Sequence, residues 1–198
     1  MMRIGSLLLA AALAASVGGC AATHKTDLFR KDVLTDAQNA IADLKLNQGK
    51  MTITASVDRE DKSYDPGQPI TLTVNASKDA FISILRVMPN GDTQIVFPNR
   101  PHRIAWLPAG TTLTLPSADD PVKLAVDKPG IVLFEIIANT LGRSWLFSRA
   151  PDEGSDFADL GVTSRNVARD MQESVRIGVT HEVAATYVVV RIAGRDLF

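Results

Sequence analysis

Apolar positions recur along this chain with two different periods, and the switch between them divides it. From Asp27 to about Leu46, Val33, Ala37, Ala40, Ile41 and Leu44 follow steps of three and four residues. That spacing predicts a helix. Thr35 or Asp36 caps its second part, Leu28 and Phe29 belong to a preceding turn, and Gly49 ends the segment. Period two takes over at Met51. Met51, Ile53, Ala55 and Val57 alternate with Thr52, Thr54 and Ser56, and Ile70, Leu72 and Val74 alternate with Thr71 and Thr73. Both patterns predict half-buried strands. Residues 80–88 (AFISILRVM) are apolar on both faces and read as a central strand. Pro89-Asn90-Gly91-Asp92 is a turn signal, since Asn and Gly tolerate positive φ, and Thr93 to Phe97 returns as the hairpin partner.

Pro98 to Pro108 is irregular. Strands are predicted at Thr111 to Leu115, Val122 to Val126 and Ile131 to Ala138, the last nearly continuous in apolar residues, and Ser144 to Phe147 extends the sheet. Residues 150–163 read as an acidic loop, Ser164 to Arg176 as a helix with Val167, Met171 and Val175 one turn apart, and Ala184 to Ile192 as the last strand. Strands spaced ~8–15 residues apart, with few helices and frequent Pro/Gly turns, predict a mainly β protein: an antiparallel sandwich-like domain with an N-terminal helix and a further helix near the C-terminus.

The N-terminus follows another pattern. Arg3 is the only charge among residues 1–19, and Ile4 to Ala15 forms an apolar core of 12 residues. That fits the ~7–15-residue core of a secretory signal and falls short of the ~20 residues of a membrane-spanning helix. Small residues follow, then Cys20, the sole cysteine. Val17-Gly18-Gly19-Cys20 resembles the bacterial lipobox, in which cleavage after the small residue, here Gly19, frees a cysteine for lipid attachment. The resemblance implies a signal peptide over 1–19 and lipidation at Cys20; with the periodicity it divides the chain into 1–19, a lipidated tether and helix over 20–49 and a β-rich domain over 50–198. Two or three acyl chains would anchor the chain stably. Ala21 rather than Asp after the cysteine implies the outer membrane, facing the periplasm, ahead of the inner membrane or the cell surface. The first helix either packs on its own domain, the reading preferred here, or docks a partner and spaces the domain from lipid.

Composition narrows the chemistry. The 198 residues are 45% hydrophobic and 22% charged, which is globular rather than disordered. A net charge of −1 shows no basic surplus for nucleic acid, and without residues 1–19 the chain carries 20 basic and 22 acidic side chains. One cysteine excludes a disulfide scaffold and a zinc site built on several thiolates. His24, His102 and His181 lack the spacing of a metal site. There is no G-x-S-x-G elbow, no phosphate loop and no EF-hand pattern among Asp119, Asp120, Asp152, Glu153, Asp156 and Asp159. No catalytic residue, metal or cofactor is assigned.

Tyr64-x-x-Gly67, the strand Ile70–Val74, Asp79-Ala80-Phe81, Asn90-Gly91, Phe97-Pro98-Asn99, Ala109-Gly110 before Leu113-Thr114-Leu115-Pro116, and Pro129-Gly130 follow in order. This series resembles the bacterial family known as domain of unknown function 4384, over about Tyr64 to Ala138. The resemblance implies a β-rich exported module that binds or adapts rather than catalyses. The helix at 164–176 and the strand at 184–192 are additional to it. The loop launched by Phe97-Pro98-Asn99 holds Asn99, Arg100, His102, Arg103 and Trp106, and is the candidate recognition surface, because Arg and Trp are enriched at interface hot spots. The alternative is a solvated loop with Trp106 in the core. The expected function is a non-enzymatic, lipid-anchored accessory or adaptor of an envelope assembly such as a secretion system or surface structure, with an envelope protein as partner. The alternatives are a small-ligand or glycan-binding lipoprotein and, further off, an unrecognised hydrolase.

Overall fold

The computed structural model describes residues 33–140, 155–177 and 181–194. Gly19, Cys20, the strand expected at 144–147 and the first turn of the N-terminal helix lie outside these residues. In chain order the elements are α1 (Asp36–Ala42), β1 (Ile53–Val57), β2 (Ser63–Tyr64), β3 (Leu72–Ala76), β4 (Ala80–Val87), β5 (Thr93–Phe97), β6 (Trp106–Leu107), β7 (Thr112–Leu115), β8 (Gly130–Asn139), β9 (Ala158–Asp159), α2 (Ser164–Ile177) and β10 (Val183–Ile192).

Two sheets form the sandwich-like body expected from the pattern. The smaller has the order β1-β3-β7, the larger β2-β10-β8-β4-β5-β9, and β6 pairs with the start of β4. All pairings are antiparallel except β2 with β10. Strand β8 is buried on both faces because each face meets a different layer. Val132, Phe134, Ile136 and Ala138 join Ile82, Ile84, Leu72, Val74 and Val190 between the sheets. Leu133 and Ile137 join Leu85, Val87 and Val189 beneath the helices, against Ile41, Val167 and Met171.

The register slips between Ile84 and Leu85 of β4, placing an extra residue in β5. Such a bulge lets two successive side chains reach one face. Val96 and Phe97 accordingly both enter the inter-sheet core, while Ile95 points to the helix side.

Helix α1 packs on its own domain. It is shorter than its apolar periodicity predicts: Val33 is exposed, and Leu44 and Leu46 are buried beyond its end. Thr35 is its N-cap, and Gln38 completes a capping box by accepting the Thr35 N–H at 3.1 Å. Gln38 is fully buried, and its Nε2 donates to the carbonyls of Val87 at 3.2 Å and Ile131 at 2.8 Å. One side chain thus caps the helix and ties it to the facing ends of β4 and β8.

Other expectations are corrected in detail. Strand β3 begins at Leu72, because Ile70 donates its N–H to the carbonyl of Leu124 instead. Val122, Leu124 and Val126 are buried in alternation as predicted, yet this segment is no strand: among the described residues its backbone partners are Gly67 and Ile70, and the Ala125 carbonyl faces the Arg86 side chain. The short strands β2, β6 and β9 were not anticipated.

Glu135 is the exception within the core. It lies on the helix side of β8, paired across to Leu85 and Tyr187, 3% exposed, and its Oε2 accepts no hydrogen bond among the described residues. Burial pushes its carboxyl well above the usual range. Because the raised value belongs to the folded state, this carboxyl costs nothing below the ordinary carboxylate pKa of ~4.3, and stability is lost as pH rises from there toward the folded value. Glu135→Gln is expected to raise Tm more at about pH 8 than at about pH 4, flattening the profile measured by thermal denaturation. Gln38→Ala is expected to cost about 2 kcal/mol in urea unfolding, since it removes the reciprocal half of the capping box and orphans two strand-end carbonyls.

Candidate functional site

The loop between β5 and β6 is closed on itself and fastened at both ends. Asn99 is buried, its N–H donates to the His102 carbonyl at 3.1 Å, and its Oδ1 accepts the His102 N–H at 3.0 Å. The His102 ring lies 6.3 Å from that of Phe97, and its Nε2 hydrogen-bonds the buried carboxylate of Asp120. Asp120 also accepts the Ser117 N–H at 2.7 Å. At the far end Ala105 is buried and accepts the Ile82 N–H at 2.8 Å, and Trp106 and Leu107 pair with Phe81 and Ala80.

The side chains left outside are the interactive ones. Arg100 and Arg103 are exposed, Ile104 is 78% exposed, and Trp106 is 44% exposed while resting edge-on against Phe81 with centroids 5.0 Å apart. Trp106 is therefore not a core residue. Of the five residues singled out from sequence, Asn99 and His102 build the loop, and Arg100, Arg103 and Trp106 form its face. Sequence reasoning missed Ile104, Phe81 and Asp120. Ile104 was detectable as a lone large aliphatic in a polar loop; Asp120, 18 positions from His102, carried no such signal.

His102 has a carboxylate partner, and no described Ser or Thr hydroxyl hydrogen-bonds to it. Among the described residues no group of three His, Cys, Asp or Glu side chains is placed to hold a metal. Asp159 instead accepts the Gly161 N–H at 2.9 Å, while Asp152 and Glu153 lie outside the described residues.

A separate cleft of about 900 Å³ opens at the tip of the β4–β5 hairpin. There Gly91, at φ +90°, sits so close to α1 that a Cβ would meet that of Ala37 at 3.1 Å. Ser164, at the start of α2, donates to the Gly91 carbonyl at 2.7 Å and contacts the Thr93 hydroxyl at 3.0 Å. The cleft is open, with Asp36, Asp92 and Arg165 on its walls.

Residues 63–140 match the family described as Domain of unknown function (DUF4384). The chain carries a domain that resembles DUF4384. The match is slightly wider than the motif series and runs from β2 through β8. The DUF4384-like stretch therefore contains the entire 99–106 loop with Phe81 and Asp120, and excludes α1, α2 and β10. Comparison with the curated proteins gives no match. Among solved structures, the sporulation control protein Spo0M from Bacillus subtilis is similar at a TM-score of 0.32 and 10% identity, over 74% of this chain and 51% of that one. This chain thus spans about half the length of Spo0M.

Burial works to raise the Asp120 carboxyl, but the Ser117 N–H and His102 outweigh it and hold it below the usual carboxylate range. A depressed value stabilises above the ordinary ~3.9 and is lost as pH falls through the folded value. Asp120→Asn is expected to lower Tm at neutral pH and to flatten the acid limb below about pH 4, read from Tm between about pH 2.5 and 7.

Proposed function

We propose that this chain is a lipid-anchored adaptor of the bacterial cell envelope. Cys20 holds it on the outer membrane facing the periplasm, and the 99–106 loop docks an envelope protein belonging to a secretion system or surface structure. The observation that carries the reading is the pairing of exposed Ile104 and Trp106 with exposed Arg100 and Arg103 on a loop whose backbone is pinned by Asn99 and by the His102–Asp120 contact. An exposed Trp and two Arg are the side chains that contribute most when an interface closes over them. A loop already held in one conformation loses little further entropy on binding. The lipobox resemblance supplies the location, and the absence of a catalytic motif in the sequence favours binding over chemistry.

A second reading rests on Trp106 alone. Its ring stands on Phe81 with 44% of the residue exposed, which suits stacking against a sugar or another small envelope molecule.

The test is crosslinking in living cells, with affinity purification of the tagged full chain and mass spectrometry. A specific envelope partner that is lost from the Arg100→Ala, Arg103→Ala, Trp106→Ala triple variant, and from the unanchored Cys20→Ser variant, is the expected result. A membrane-bound protein that captures no partner overturns the adaptor reading. Tryptophan fluorescence that shifts on adding cell-wall fragments then supports the second one.

A further inference from the structure

Arg86 lies in β4 directly across from Gln94 of β5, on the face of the large sheet opposite the helices. It is 9% exposed, and burial works against its charge. Its guanidinium nevertheless has no carboxylate within ion-pair distance among the described residues. Its Nε and one terminal nitrogen both donate to the Gln94 side-chain oxygen, and the other terminal nitrogen donates to the Ala125 carbonyl at 2.8 Å. The Phe157 ring covers it at 5.1 Å from the centroid. A guanidinium has five N–H donors, so two of them make no hydrogen bond to a described residue. The Asp127 charge favours the ionised guanidinium from beyond ion-pair distance, but its hydrogen bonds go to neutral acceptors, and a buried cation is costly unless something completes its shell.

Arg86 lines a cleft of about 230 Å³, with Gln94 and Lys128 and the carboxylates of Asp92, Asp127 and Asp159. This volume is below the ~300–1,000 Å³ of sites for drug-sized molecules, so an occupant has few heavy atoms. The lining carries both signs. A simple anion would meet three carboxylates, and a simple cation would meet Arg86. A molecule with separated charges satisfies both, its carboxylate taking the spare N–H donors in the fork geometry that guanidinium favours.

We propose that this cleft binds a small zwitterion of the α-amino-acid class, its carboxylate on Arg86 and its ammonium group against the carboxylates of Asp92, Asp127 and Asp159. The site is independent of the docking loop.

The experiment is isothermal titration calorimetry of the full chain in detergent with glycine, L-alanine and D-alanine. Acetate, methylammonium and inorganic phosphate are titrated as the separated halves and as an anion control. Saturable binding of at least one amino acid is expected, with acetate and methylammonium about tenfold weaker or more. Asp92→Asn, at an exposed position, is expected to weaken binding about fivefold, and Arg86→Lys to abolish it while circular dichroism confirms a folded chain. The proposal is overturned by no amino acid binding up to about 50 mM, a concentration at which even millimolar affinity saturates. Acetate or phosphate binding as tightly as the amino acids overturns it too. So does an Asp92→Asn, Asp127→Asn double variant with unchanged affinity.

Discussion

Gly130–Asn139 hydrogen-bonds to a neighbour along both edges over nearly its whole length, to β4 on one side and β10 on the other. A strand paired on both edges and packed on both faces has no surface left, which is why its sequence is a continuous apolar run. The remaining layers answer that demand: the small sheet closes one face and the two helices close the other. Residue parity along β8 decides which layer each side chain serves. Glu135 breaks the rule at the centre of the ladder, and burial there holds its carboxyl well above the usual range.

Strand β4 carries the parts that bear on function, because its second edge is divided. Its C-terminal half pairs with β5 and its first two residues pair with β6. The 99–106 loop is the crossing between two strands that share one partner. Both of its ends are therefore fixed by the same rigid element, and Asn99 and His102 need only fold the intervening residues. The bulge near Val96 sends Val96 and Phe97 together into the core. Phe97 is buried at the head of the loop, and beyond Asn99 the side chains of Arg100, Arg103 and Ile104 are exposed.

Where burial follows a period or is continuous, sequence and structure agree: β1, β4, β5, β8, β10 and α2 stand within about two residues of their expected places. The two-residue strands β2, β6 and β9 escape this reading, since no period exists over two residues. Val122–Val126 shows the converse. Its alternation reports burial truly, but a strand also needs a partner along its length, and among the described residues this segment's backbone partners are Gly67 and Ile70. Arg and Trp point to the candidate recognition loop by residue type alone. Sorting its face from its frame needed contacts across the fold: Asp120 to His102, and Phe81 to Trp106. Residues 80–88 read as apolar on both faces, and the Gln94 register and the Ala125 carbonyl show how Arg86 is held among them.

Phe81, beneath Trp106, and Arg86, in the small cleft, stand five residues apart on one strand, or about 17 Å at ~3.3 Å per residue. The strand between them is paired with β8 throughout and packed on both faces. Sites further apart than ~7–10 Å with no shared partners behave additively. The proposed docking face and the cleft share no side chain: one is built from 99–106 with Phe81 and Asp120, the other from the Arg86–Gln94 pair and the 125–128 segment. Each can therefore be altered without moving the other, and an effect of amino acid on partner capture would require a change in the strand that the two cores on either side of it oppose.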